Sequence, residues 1–343
     1  MTLRAKTIHE CEPAAEQNLA RPLMTVLFSG TAHPVLAQSI AHEAAIPLGS
    51  CAIERFPDGE QRVTLLESVR QRQVILVQPL SPPAVNDHLM ELLLLADACR
   101  RAAAASILAV IPYFGYARSD KRHGHREAIG ARVVADLLET VGIQHIVTMD
   151  LHAPQIEGFF HRPVDCLTAV PALCQALSLR LPAHRRAELV LVSPDAGRVH
   201  MASDYASRLG APVAVVHKRR TSEGTTAVTH LAGDVKNKSC VIIDDLISTG
   251  STIVQAANVL LKAGARPEIA VAATHGIFVP GAQERLREVG ISELFVMDTL
   301  PIAAQHWPQL QVVSSASYFA GILARFMGEG SQTPQSTPER RTS

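Results

Sequence analysis

At 343 residues the chain exceeds the size at which one hydrophobic core keeps growing, so two medium domains with separate cores are expected. Lys plus Arg and Asp plus Glu both total 32, so no overall field draws the chain to nucleic acid or to an anionic membrane, and any anion site must be local. No uncharged apolar run reaches bilayer length, the acid-bearing N-terminus lacks the apolar segment of a signal peptide, and six scattered cysteines without a C-x-x-C pair indicate neither a zinc site nor a disulfide framework. The expected compartment is a reducing cytoplasm.

Residues 1–21 read as a mobile extension. Short runs rich in Val and Ile then predict strands at 24–29, 51–55, 62–66, 74–78, 106–111, 144–149, 188–193, 213–217, 240–244, 268–274 and 294–298. Helix-period segments alternate with them, which predicts βαβ units and mainly parallel sheets. The clearest helix spans about Arg126 to Val141, with Ile129, Val133, Val134, Leu137, Leu138 and Val141 on one face and Gly142 as its stop. The stretch from Val74 to Ile111 resembles that from Cys240 to Thr274, as two copies of one plan would. The expected organisation is an N-terminal α/β domain at 22–167, a C-terminal one at 168–307, a return to the first over 308–326, and a disordered tail at 328–343, where Gly, Ser, Gln, Thr and Pro cannot build a core.

The strongest chemical signal is CVIIDDLISTGST, Cys240 to Thr252. A buried-type strand runs into two adjacent acids, then into a loop of small residues that opens a helix. Backbone N–H groups at such a helix start converge on an anion, Gly250 permits close approach, and the hydroxyls of Ser248, Thr249, Ser251 and Thr252 add donors. That is a site for a phosphate monoester. Asp244 and Asp245 leave the strand in different directions, able to reach vicinal hydroxyls or the water shell of a metal ion.

In TMDLHAPQIEGFF, Asp150 and His152 are alternate residues at a strand end, a spacing that places carboxylate and imidazole on one face, able to hold one metal ion. In IPYFGYARSDKRHGHR, the cations Arg118, Lys121, Arg122 and Arg126 form a local positive cradle suited to a triphosphate. RFPDGE, Arg55 to Glu60, reads as a tight turn between two strands. VSPDAG closes another strand, and after HKRR the chain loses apolar periodicity, so a mobile loop is expected beyond Arg220.

The phosphate loop resembles the element shared by phosphoribosyltransferases and ribose-phosphate pyrophosphokinases, and the other four segments resemble the second family, together spanning most of residues 24–326. The resemblance implies two tandem phosphoribosyltransferase-like (Rossmann-like) α/β domains that assemble into dimers or hexamers, and Mg²⁺-dependent transfer of the β,γ-diphosphoryl group of ATP to the C1 hydroxyl of ribose 5-phosphate. It implies catalytic roles for Lys218 and Arg220, and ATP contacts at Phe56, Asp58, Glu60, Arg118, Ser119, Asp120, Lys121 and His152. The loop bearing Phe56 would hold adenine from a neighbouring subunit. Ribose 5-phosphate falls to Asp195, Asp244, Asp245, Ser248, Thr249, Gly250, Ser251 and Thr252, and the metal ion to Asp150, His152 and Asp195. Ser119 replaces the family's usual Gln and His161 a frequent acid, departures from its pattern. Two alternatives share the scaffold: a phosphoribosyltransferase, which has no need of the cationic loop or of a second domain, and a non-catalytic regulatory subunit, expected to have lost cations or metal ligands that this chain keeps.

Overall fold

The computed structural model describes residues 24–122, 124–220, 226–302 and 307–328, without the side chains at 218–220, 226–229 and 328. The extension expected at 1–21, the loop centre at 221–225 and the tail beyond Gly328 lie outside the described residues.

In chain order the elements are β1 (Thr25–Ser29), α1 (Pro34–Glu43), β2 (Cys51–Arg55), β3 (Gln61–Leu65), β4 (Gln73–Val77), α2 (Val85–Arg101), β5 (Ser106–Ile111), α3 (Gly130–Thr140), β6 (His145–Met149) and β7 (Val164–Leu167). There follow α4 (Val170–Arg180), α5 (Ala183–Arg186), β8 (Leu189–Ser193), α6 (Val199–Leu209), β9 (Val213–Arg220), β10 (Thr226–Ala232), β11 (Ser239–Ile247), α7 (Ser251–Lys262), β12 (Ile269–Gly276), α8 (Ala282–Glu288), β13 (Ile291–Met297), β14 (Leu310–Val313) and α9 (Ala316–Gly328).

Two sheets result, in the orders β1-β4-β5-β6-β7 and β10-β9-β8-β11-β12-β13-β14. All their neighbours are parallel except the hairpin of β9 and β10. Strands such as β8 (LVLVS) and β12 (IAVAATHG) are buried along their whole length, because a parallel sheet is covered on both faces and gains from apolar side chains pointing either way. Exposed and half-buried residues alternate along β3, which with β2 makes a separate antiparallel ribbon.

The core departs from the expectation of two separate ones. One cluster holds Leu27, Ile75 and Val110 of the first sheet together with Leu191, Val241 and Phe295 of the second, and includes buried residues of α1, α4, α6 and α9. The inner faces of both sheets thus bury against a common helical layer, while α2 and α3 cover the outer face of the first sheet and α7 and α8 that of the second.

Three further expectations need correction. β14 pairs in parallel with β13, so 308–326 does not return as a unit to the first domain; helix α9 crosses over, with Phe326 edge-on to His145 at 4.4 Å between ring centroids. The stretch after Arg220 resumes as β10, pairing Thr226 with Arg220 across the hairpin, because an edge strand needs no apolar periodicity. Helix α3 begins at Gly130 and not at Arg126, whose φ of 65° is incompatible with a helix; the Gly130 amide donates to Ser119 Oγ at 3.0 Å instead.

Phe319 of α9 is fully buried in the shared core. Phe319→Ala is expected to lower unfolding stability by about 3–5 kcal/mol, measured by urea denaturation, since the layer is held from both sides and closes poorly on a void.

Candidate active site

The site gathers at the C-terminal ends of the parallel strands, where open α/β sheets leave a crevice between diverging loops. β11 and α7 supply its floor. Gly250 takes φ 78°, the left-handed region that favours glycine, and turns the chain into α7; a Cβ there would lie 3.2 Å from Leu286 Cγ. The first amides of α7 have no acceptor inside the helix and face outward with the positive end of its dipole. Thr249 Oγ1 and Ser251 Oγ lie 3.0 Å apart beside them, and Arg285 holds the loop by donating to the Thr249 carbonyl at 2.5 Å.

A cavity of about 260 Å³ opens above this helix start, lined by Ser248 to Thr252, Asp244, Asp245, Asp195, Arg198, His152 and Arg118. A second, about 580 Å³ and half apolar, adjoins it and is lined by Tyr113, Tyr116, Arg118, Ser119, Lys121 and Ile277, among others. Arg118 and Ser248 belong to both walls.

The acid pair is not at the end of its strand, as expected, but inside β11, with both residues buried. Burial, followed by the adjacent charge of Asp245, pushes the Asp244 carboxyl well above the usual carboxylate range. Burial acts on Asp245 in the same sense, yet its net direction is downward, because the His152 hydrogen bond and the Arg198 charge outweigh it. His152 Nδ1 lies 2.7 Å from Asp245 Oδ2, and Arg198 Nε lies 3.1 Å from Asp245 Oδ1 and 3.4 Å from Asp244 Oδ1. His152 comes from the first half of the chain and Arg198 from the second, so the pair is contacted from both sides of the cleft.

Asp150 and His152 do not share one strand face. β6 ends at Met149, and Asp150 adopts φ 38°, so the alternation of an extended strand stops before it. Asp150 Oδ2 instead accepts from the Ala169 amide at 2.9 Å and from Thr274 Oγ1 at 2.6 Å. The two residues border a void of only about 10 Å³. Asp195 caps a short 3-10 turn, Ala196–Arg198, by accepting from the Gly197 amide, and still lines the smaller cavity.

As a seat for a divalent ion, the oxygens of Asp195, Asp244 and Asp245 have the hard character that Mg²⁺ requires, with His152 beside them. No group of three or more His, Cys, Asp or Glu among the described residues is drawn together as a metal site. Arg198 Nε already stands beside Asp244 Oδ1 and Asp245 Oδ1.

The remaining expected residues divide. Lys121 lines the larger cavity, whereas Asp120 is buried, accepts from Gln155 Nε2 at 2.5 Å and lines neither cavity. Ser119 uses its hydroxyl to accept from the Gly130 amide while bordering the larger cavity. Phe56, Asp58 and Glu60 form the tip of the β2–β3 ribbon, closed by Phe56 N–H to Glu60 O at 2.8 Å, and among the described residues this tip stands apart from both cavities of the chain. Of Lys218 and Arg220 the backbone is described, as the last turns of β9 into its hairpin.

Sequence reasoning passed over Arg198, Thr274 and His275. His275 is fully buried at the end of β12; Thr299 donates to its Nδ1 at 2.8 Å and its Nε2–H donates to the Met149 carbonyl at 3.1 Å across the two halves. Burial holds its imidazole below the usual range, against the pull of Asp150 and Asp245. A polar Thr-His pair ending the otherwise apolar run IAVAA was the readable sign of it.

A model of the N-terminal domain of ribose phosphate pyrophosphokinase matches residues 25–142, and a phosphoribosyl transferase domain model matches 166–296. A ribose-phosphate pyrophosphokinase of Corynebacterium efficiens is 42% identical over 311 residues, covering 90% of this chain and 94% of its own. One from Prochlorococcus marinus is 43% identical over 308 residues, with 89% and 91% covered. The crystal structure of phosphoribosylpyrophosphate synthetase from Mycobacterium smegmatis superposes with a TM-score of 0.82 at 40% identity, over 89% of this chain and 99% of that one.

Thr274 is fully buried and its hydroxyl serves Asp150. Thr274→Val keeps the shape and removes the donor, so a loss of about 1–3 kcal/mol in urea denaturation is expected, the penalty of a half-buried carboxylate left short of a partner.

Proposed function

This chain belongs to the ribose-phosphate pyrophosphokinase family and is an enzyme of it, and from that membership we propose that it transfers the diphosphoryl group of ATP to the C1 hydroxyl of ribose 5-phosphate, giving 5-phosphoribosyl 1-diphosphate and AMP. The observation that carries the reading is the pair of adjoining cavities with Arg118 and Ser248 in their common wall. The smaller offers a helix N-terminus for a phosphate and, at its other end, acids for hydroxyl groups. The larger is half apolar and bordered by cations, as a nucleoside triphosphate requires.

In this reading the amides and hydroxyls of 248–252 hold the 5-phosphate, and Asp244 and Asp245 accept from the sugar hydroxyls. The C1 oxygen attacks the β-phosphorus, the bond from that phosphorus to the α,β-bridging oxygen breaks, and AMP leaves with the bridging oxygen while the hydroxyl proton passes to solvent. Because such a transition state is loose, with charge on its peripheral oxygens, alignment and nearby cations do most of the work. Arg118 and Lys121 border the triphosphate side, and Lys218 and Arg220 are assigned to the migrating group from the β9 hairpin. Mg²⁺, held by Asp195 and His152 with the acid pair close by, would supply further neutralisation of the phosphate oxygens. Asp150 has a different part: it locks the loop that presents His152.

The same reading makes the enzyme a cytoplasmic homo-oligomer, with the exposed tip at Phe56 completing an adenine pocket in a neighbouring copy. Among the described residues no helix is long and apolar enough to cross a membrane, and the cysteines described are all free thiols.

Incubation with ATP, ribose 5-phosphate and Mg²⁺ is expected to yield AMP and phosphoribosyl diphosphate in equal amounts, both quantified by ion-exchange chromatography; unequal yields, or none, refute the reaction. Lys218→Ala is expected to reduce kcat on the order of 10²–10⁴-fold with an unchanged melting temperature, the loss typical of a removed charge-stabilising donor.

A further inference from the structure

Arg198 is the last residue of the 3-10 turn after β8, and its side chain is only 15% exposed. Its guanidinium meets four groups at once. Nε lies 3.4 Å from Asp244 Oδ1 and 3.1 Å from Asp245 Oδ1, Nη1 donates to the His152 carbonyl at 3.0 Å, and Nη2 lies 2.8 Å from His152 Nδ1. These are the groups that face the acidic end of the 260 Å³ cavity. The end of the cavity that should receive a cation or hydroxyl donors therefore already holds a cation, on a tether.

We propose that Arg198 is a resident counter-ion of the acid pair, competing for Asp244, Asp245 and His152 with an incoming divalent ion and with the vicinal hydroxyls of the sugar, and released from them when those ligands bind. The assignment of sugar and metal to this cavity rests on the function proposed above; the competition itself rests on geometry. Two adjacent carboxylates, both largely buried, repel each other strongly when neither is neutralised. A guanidinium beside them offsets part of that repulsion. A divalent ion or a row of hydroxyl donors can do the same, but not while the five N–H donors of Arg198 fill the space. Release is sterically available, since Arg198 is itself one of the residues that line the open cavity.

The trade has a consequence for the order of events. While Arg198 is docked it bonds His152 of the first half and the acid pair of the second, so it also draws the two sides of the cleft together. Its displacement would couple occupation of the acidic end to loosening of that bridge. A divalent ion alone should then bind weakly, and the ion together with ribose 5-phosphate, which offers more hydrogen bonds to the pair, should bind better than either separately.

The test is Mn²⁺ binding to the substrate-free protein by electron paramagnetic resonance, on wild type, Arg198→Ala and Arg198→Lys, with folding verified by circular dichroism. Arg198→Ala is expected to bind Mn²⁺ roughly 10-fold or more tightly than wild type, in line with the coupling of close charge pairs, and Arg198→Lys to stay near wild type. The melting temperature of Arg198→Ala should fall without divalent ions and rise further on adding Mg²⁺ than that of wild type, a response that a merely structural arginine would not produce. Unchanged or weaker Mn²⁺ binding in Arg198→Ala overturns the proposal; should Arg198→Ala not fold, Mn²⁺ affinity of Arg198→Gln equal to that of wild type overturns it. Product formation by wild type is scored separately: AMP formed without tighter metal binding in the variants removes the counter-ion and leaves the reaction, and the converse removes the reaction alone.

Discussion

Two neighbouring carboxylates buried in one strand are the constraint around which this molecule is arranged. Asp244 and Asp245 are largely buried, and in such surroundings two negative charges in contact are costly unless positive or donating groups stand beside them. The second half of the chain supplies Arg198 from the turn after β8, but the other partner, His152, belongs to the loop after β6 in the first half. Stability of the acid pair thus requires the two sheets to be held at a fixed separation. The cleft is a product of that requirement as much as of the loops that line it.

The halves are tied accordingly. Beneath the site, Asp150 accepts from Thr274, and His275 donates to the Met149 carbonyl, so the ends of β6 and β12 are joined by one part-buried and one buried hydrogen bond. Burial disfavours the charged form of His275, whose one ring nitrogen donates across the junction while the other lies 2.8 Å from Thr299 Oγ1. The shared helical layer adds apolar contact over the inner faces of both sheets. A site whose charged groups come from both halves gains from this rigidity, since a shift of about 1 Å between reacting groups can cost on the order of 100-fold in rate.

What could be read beforehand follows from how far each interaction reaches along the chain. Strands such as β4, β5, β8 and β12 announce themselves because burial on both faces demands unbroken apolar runs. β7, β10 and β14 do not, since VDCL, TAVTHLA and LQVV belong to edges where polar side chains are tolerated. The phosphate loop was legible for the same reason of locality: strand, acids, small residues and helix are consecutive. Arg198 meets His152 across 46 positions and Thr274 meets Asp150 across 124, and nothing in either neighbourhood names the partner. Asp150 misled for a different reason, because the alternation argument assumes extended backbone and its φ is positive.

The smaller cavity also carries an instruction about direction. Both the N-terminus of α7, where amides and dipole favour an anion, and the acid pair, which repels one, line it, and the proposed function gives the first to the phosphate and the second to hydroxyl groups. A ligand with a phosphate at one terminus and neutral hydroxyl groups at the other can enter in a single orientation, because the reversed pose sets phosphate against carboxylate. Arg198 sharpens this selection. By covering Asp244 and Asp245 when the cavity is empty, it spares the fold the repulsion of a naked pair, yet a guanidinium docked by four partners yields only to a ligand that replaces those contacts together. An anion such as free phosphate can satisfy the helix end but cannot replace the cation at the acids. On the proposed function, discrimination between a phosphate and a sugar phosphate therefore resides at the acids and not at the helix start.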